Sequence, residues 1–135
     1  MPGTGIKTTG FPSPAQDFTE DRLDLNRLLI THPAATFFMR ADGEAMAEDG
    51  IHADDILVVD RALTPVHRDV VVAVVDGELM VRRLGVGSHK NNFLHQENIS
   101  NTLIIKDNKE STIWGVVTYV IHRLRRNGTR PFPFG

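Results

Sequence analysis

The side chains that could do chemistry are scattered. Six histidines stand at His32, His52, His67, His89, His95 and His122. None pairs with another at i, i+3 or i+4, the spacings that put two ligands on one helix face, so no compact metal site is expected. Ser13, Ser88, Ser100 and Ser111 are candidate nucleophiles by type alone. None sits in the Gly-x-Ser-x-Gly turn that exposes a catalytic hydroxyl, and exposed hydrogen-bonding serines are the expectation. The chain has no cysteine, which excludes disulfides, thiolate catalysis and cysteine metal sites. Gly85-Val86-Gly87 lacks the further glycine spacing and the following helix of a phosphate loop. No cofactor and no metal are expected.

Charge is the next source of function. The net charge of −2 argues against strong direct binding to DNA, but its distribution is uneven. Seven acids and no Lys or Arg fall between Ala41 and Asp60, whereas Arg123, Arg125, Arg126 and Arg130 follow the last acid, Glu110. Such asymmetry can mark two partner surfaces, or two solvated segments. Phe132 and Phe134 lie near the basic tail, yet Pro131 and Pro133 separate them. A single-strand binder needs stacking aromatics set in a basic groove, and a loose tail is the simpler reading.

The elements that must position these residues read as mostly β. With 135 residues, 41% hydrophobic and 24% charged, the chain has the composition of one globular domain, able to bury roughly two-thirds of its unfolded surface. No apolar run approaches the ~20 residues that cross a bilayer. The first ten residues carry no apolar stretch of the kind found in a signal peptide. Residues 1–16 read as an extended arm, since Pro12 and Pro14 lack amide donors and restrict their predecessors. Asp24 is a candidate N-cap for one or two helical turns to Thr31, with Leu25, Leu28 and Leu29 on one stripe and Pro33 as the stop. Strands are expected at 35–40, 56–60, 92–95, 102–106 and 112–124. Between Asp69 and Leu84 two β-rich runs flank Asp76-Gly77, the signature of a type I′ hairpin. On period two, Trp114, Val116, Thr118, Val120 and His122 share one side of the last strand. Trp114, Val116 and Val120 are candidates for core or for a dimer interface. Short strands separated by turns predict a single barrel-like or folded-sheet domain over residues 17–126, with a loose tail at 127–135.

Several stretches, in order, resemble the UmuD family of the SOS mutagenesis system and, more distantly, the C-terminal domain of LexA repressors. They are Gly10-Phe11-Pro12-Ser13-Pro14-Ala15, the run Leu23 to Ile30 followed by His32-Pro33, Ile56-Leu57-Val58-Val59-Asp60, Val75-Asp76-Gly77-Glu78 and Gly115-Val116-Val117. The resemblance covers nearly all of residues 10–125. It implies the compact LexA/UmuD-type peptidase fold, of the S24 kind, and a dimer to which the C-terminal strand contributes. In that family a serine activated by a neutral lysine cuts the chain's own arm when RecA filaments form. The shortened dimer then joins a UmuC-type polymerase in translesion synthesis.

The resemblance also places a departure. The family's Gly-Asp-Ser-Met turn reads Gly43-Glu44-Ala45-Met46 here, and its Val-Lys-Lys-Leu strand reads Val81-Arg82-Arg83-Leu84. Ala45 has no hydroxyl to acylate. A buried lysine can lose its proton, but an arginine keeps its charge, so Arg82 cannot act as a general base. It retains donors for Glu44 or for an arm carbonyl. Gly43, Glu44 and Met46 are the expected cleft lining. The vestigial cut site falls between Thr9 and Gly10, so that the chain resembles the shortened form.

The expectation is therefore a cytoplasmic, non-catalytic UmuD′-like subunit. It would form a homodimer, or a heterodimer with a UmuD-like protein, and bind a UmuC-type DNA polymerase. RecA filament and the sliding clamp are further candidate partners. Two alternatives share the fold. One is a self-cleaving SOS serine peptidase inactivated by substitution at position 45. The other is a regulatory pseudopeptidase that pairs with an intact UmuD or LexA-like protein.

Overall fold

The computed structural model describes residues 22–87, 92–96, 99–105 and 111–125. The expected arm, with Thr9 and Gly10, and the expected tail lie outside the described residues.

A short helix opens the described chain. Asp24 caps it as its sequence suggests: the Asn26 amide donates to Oδ1 of Asp24 at 3.0 Å, and helix α1 spans Leu25–Leu29. Its leucine stripe is not buried, because Leu25 and Leu28 stay exposed. A 3₁₀ turn at Pro33–Ala35 then leads into the sheet.

Seven strands follow among the described residues. They are β1 (Thr36–Arg40), β2 (Ile56–Asp60), β3 (Val70–Val75), β4 (Glu78–Val86), β5 (Asn92–Gln96), β6 (Ile99–Ile105) and β7 (Ser111–Ile121). All pairings are antiparallel, in the spatial order β1-β2-β7-β3-β4-β5-β6. The mostly-β expectation is met. Asp76 and Gly77, with φ of 51° and 83°, make the tight turn between β3 and β4, as a two-residue type I′ loop requires. The last strand stops at Ile121, three residues earlier than expected. Among the described residues no helix is long and apolar enough to cross a membrane.

The sheet carries apolar clusters on both of its sides. Val72 packs with Ala41, Met46, Ile51, Leu57 and Val59. Val71 and Ala73 pack with Leu84, Leu94 and Val116. Neighbours in β3 thus enter different clusters, as alternation demands.

Strand β7 breaks that alternation twice, which corrects the period-two reading. Val58 opposes Tyr119 and Val59 opposes Val117, so Thr118 is an extra residue against β2. Val72 opposes Gly115 and Ala73 opposes Ile113, so Trp114 is an extra residue against β3. Each β-bulge shifts the facing of the residues beyond it. Trp114 and Val120 therefore pack with the first cluster and Val116 with the second. Gly115, between the bulges, meets β2 so closely that a Cβ there would lie 2.7 Å from Cγ1 of Val59.

Candidate functional site

The turn carrying Ala45 is built by backbone hydrogen bonds. Gly43 takes φ of 87°, a conformation that favours glycine. The Ala47 amide then donates to the Glu44 carbonyl at 3.1 Å, and the amides of Asp49 and Ile51 donate to the Met46 carbonyl. Met46 turns into the first apolar cluster and anchors the turn from below. Ala41 and the Asp54-Asp55 pair exchange two further backbone bonds, which fix where the loop leaves β1.

Ala45 and Arg82, thirty-seven positions apart in sequence, line the same cavity of about 810 Å³. One wall is Phe38 to Asp42 of β1 and its exit, with Gly43 and Met46. The other is Glu78 to Arg82 of β4, and Ile51, Leu57 and Val72 form the floor. Of the three residues named for the cleft, Gly43 and Met46 line this cavity, and Glu44 stands beside it.

The guanidinium of Arg82 is partly buried, which pushes its pKa down because desolvation disfavours the charged form. Its Nη1 donates to the carbonyl of Val81 at 2.7 Å. The Glu44 carboxylate is engaged elsewhere. It accepts from the Ala53 amide, and Oε1 lies 3.1 Å from Nδ1 of His52.

Sequence reasoning missed the histidines' actual work. His122 Nδ1 lies 2.5 Å from Oδ1 of Asp55, whose Oδ2 accepts the His52 amide at 2.8 Å. The His52 and His122 rings stand 5.4 Å apart. Glu44, His52, His122 and Asp55 thus form one cluster beside the Ala45 turn. On the far end of β2, His32 Nδ1 lies 2.7 Å from Oδ2 of Asp60. This hydrogen bond is the main reason that the Asp60 carboxyl is held below its ordinary value, against the opposing effect of burial. His67 accepts from the Val86 amide at 3.0 Å. Buried carboxylates need partners, yet nothing local in the sequence shows that Asp55 and Asp60 are the buried ones. Neither the cluster beside the Ala45 turn nor any other among the described residues brings three or more His, Asp or Glu side chains together so as to hold a metal ion.

The comparisons with known proteins agree with this fold. A family model described as Peptidase S24-like matches residues 3–118. The chain is 46% identical to protein ImpA of Escherichia coli over 126 residues, covering 86% of this chain and 79% of that protein. It is 47% identical to protein SamA of Salmonella typhimurium over 116 residues, with 86% and 80% covered. It is 39% identical to protein MucA of Escherichia coli over 112 residues, with 83% and 77% covered.

Proposed function

This chain belongs to the Peptidase S24-like family, and we propose that it is a non-catalytic, UmuD′-like accessory subunit of an error-prone translesion polymerase in the SOS response. The observation that carries the reading is the pair that lines the cavity, Ala45 and Arg82. A methyl group stands where acyl transfer needs a nucleophile, and a group that stays protonated stands where it needs a base. With both missing, the cavity retains peptide-sized space but no means of forming an acyl-enzyme. Likeness to ImpA, SamA and MucA over more than four-fifths of the chain supports a role of the same kind.

In this reading the chain acts through its surfaces, in the cytoplasm, as a dimer whose contact includes β7. That strand exposes Tyr119 and Ile121, and an apolar strand surface is stabilised by a second copy or a related chain. Trp114, Val116 and Val120 support it from the core. The partner is a UmuC-type polymerase, with RecA filament and the sliding clamp as further contacts.

The test is co-purification with the UmuC-type polymerase of the same genome, with intact mass recorded before and after addition of RecA on single-stranded DNA. A stable complex of unchanged mass is expected. Loss of the first nine residues would overturn the non-catalytic assignment. Absence of any complex would overturn the polymerase role.

A further inference from the structure

An exposed arginine ordinarily keeps its rotamer freedom and gives its donors to water, since ordering so long a side chain is costly. Arg61, the first residue after β2, is exposed yet held at several points. Its amide donates to the Ala35 carbonyl at 2.9 Å. Its Nε donates to the Trp114 carbonyl at 2.9 Å. The guanidinium carbon lies 4.3 Å from the centroid of the Trp114 ring, within the range of a cation–π contact. The side chain also passes over Gly115, where a Cβ would stand 3.3 Å from Cγ of Arg61. Gly115 thus gives the arginine its path across β7, and Trp114 gives it a plane to lie on.

Two amines of this fixed guanidinium are left over. Among the described residues neither Nη1 nor Nη2 has a hydrogen-bond acceptor, and no carboxylate pairs with Arg61. The adjacent acid is occupied: Asp60 accepts the Ala62 amide on Oδ1 and pairs with His32 through Oδ2. The same indole carries an exposed aromatic ring. Phe37 meets Trp114 edge-on at 5.2 Å and remains 42% exposed. An apolar ring beside a cation whose planar fork is already oriented fits an oxyanion that has an apolar neighbour. A carboxylate suits it better than the phosphates of a nucleic acid. The chain's net charge of −2 repels a polyanion, whereas a single acid feels chiefly the local guanidinium.

We propose that Arg61 and Phe37, arrayed on Trp114, form a docking point for a partner protein that presents an Asp or Glu flanked by an apolar side chain. The carboxylate takes the two Nη donors in parallel bonds, and its apolar neighbour covers the Phe37 ring. Because the arginine is immobilised beforehand, little rotamer freedom is lost on binding. Arginine and aromatic side chains arranged in this way tend to dominate an interface. The surface shares no residue with the lining of the cavity that holds Ala45 and Arg82, so the inference stands whether or not that cavity can cut.

Trp114 is the chain's only tryptophan, and its fluorescence therefore reports on this surface. The test titrates the full chain with short peptides, acetylated and amidated at their ends, in which Leu and Phe flank one Asp, and with the same peptides carrying Asn. The Asp peptide is expected to half-saturate the Trp114 response at a concentration about tenfold or more lower than the Asn peptide. Arg61→Gln should erase that difference. Arg61→Lys, which keeps the charge but not the planar fork, should restore part of it. Phe37→Ala should weaken both peptides and leave their ratio in place. Asp and Asn are compared on the unaltered chain, so the central result does not depend on how a variant folds. Equal responses to the two peptides, or no response to either, overturn the inference. So does a tighter response to a thymidine hexanucleotide, which would assign the guanidinium to phosphate. Trp114 emission that changes on dilution of the protein alone would give the surface to a second copy and overturn it equally.

Discussion

Nδ1 of His122, just beyond β7, lies 2.5 Å from Oδ1 of Asp55, a carboxylate only 1% exposed. The same carboxylate takes the His52 amide, and His52 reaches Glu44 beside Ala45. One buried acid thus ties the end of the last strand to the loop that follows the Ala45 turn.

Replacing Asp55 with Ala should be costly, because it strips the His52 amide and the His122 ring of their common acceptor. A loss of about 1–3 kcal/mol is expected, read as a lower urea midpoint at unchanged slope. Since His122 is partly exposed and can turn to water, His122→Ala should cost less than Asp55→Ala. The reverse order would show that the ring, and not the carboxylate, organises the cluster.

The Asp60 carboxyl titrates below its ordinary value, first of all through its hydrogen bond to His32. A carboxyl whose folded pKa is depressed stabilises the fold above its unfolded pKa. That contribution is complete above the ordinary value of 3.8 and is lost as pH falls through the lower folded one. In His32→Ala the Asp60 carbon resonance should titrate at higher pH than in the parent, and stability at neutral pH should fall. An unmoved Asp60 titration would remove His32 as the cause.

Gly115→Ala should destabilise by roughly 1–3 kcal/mol, the usual cost of forcing extra volume into packed structure. The added methyl would meet Cγ1 of Val59 at 2.7 Å and Cγ of Arg61 at 3.3 Å. Pairing with Val59→Ala should recover part of that loss in a double-mutant cycle. Strictly additive effects would place the strain elsewhere.

Ala45→Ser alone should leave intact mass unchanged on prolonged incubation, because Arg82 keeps its proton and cannot activate the new hydroxyl. Only Ala45→Ser combined with Arg82→Lys restores both chemical types. Cleavage by the single variant would identify a base other than the residue at position 82.

The residues by themselves determined much of this protein. Asp24 as a cap, Asp76-Gly77 as a hairpin turn and the β-rich run of Ile56–Asp60 are local signals, set by one side chain or by neighbours in sequence. The proposed loss of the dyad is equally local, since it rests on what a methyl and a guanidinium can do at positions 45 and 82. Two kinds of fact needed the folded chain. The facing of Trp114 against Val116 depends on bulges, which arise from the registry of β7 against β2 and β3; periodicity within one strand does not contain it. The pairing of His32 with Asp60 spans 28 positions and that of His122 with Asp55 spans 67. Burial decides which carboxylates need a partner, and burial belongs to the packed sheet rather than to any stretch of sequence. The cavity that Ala45 and Arg82 share is of the same kind, since its walls meet only once the strands have taken their places.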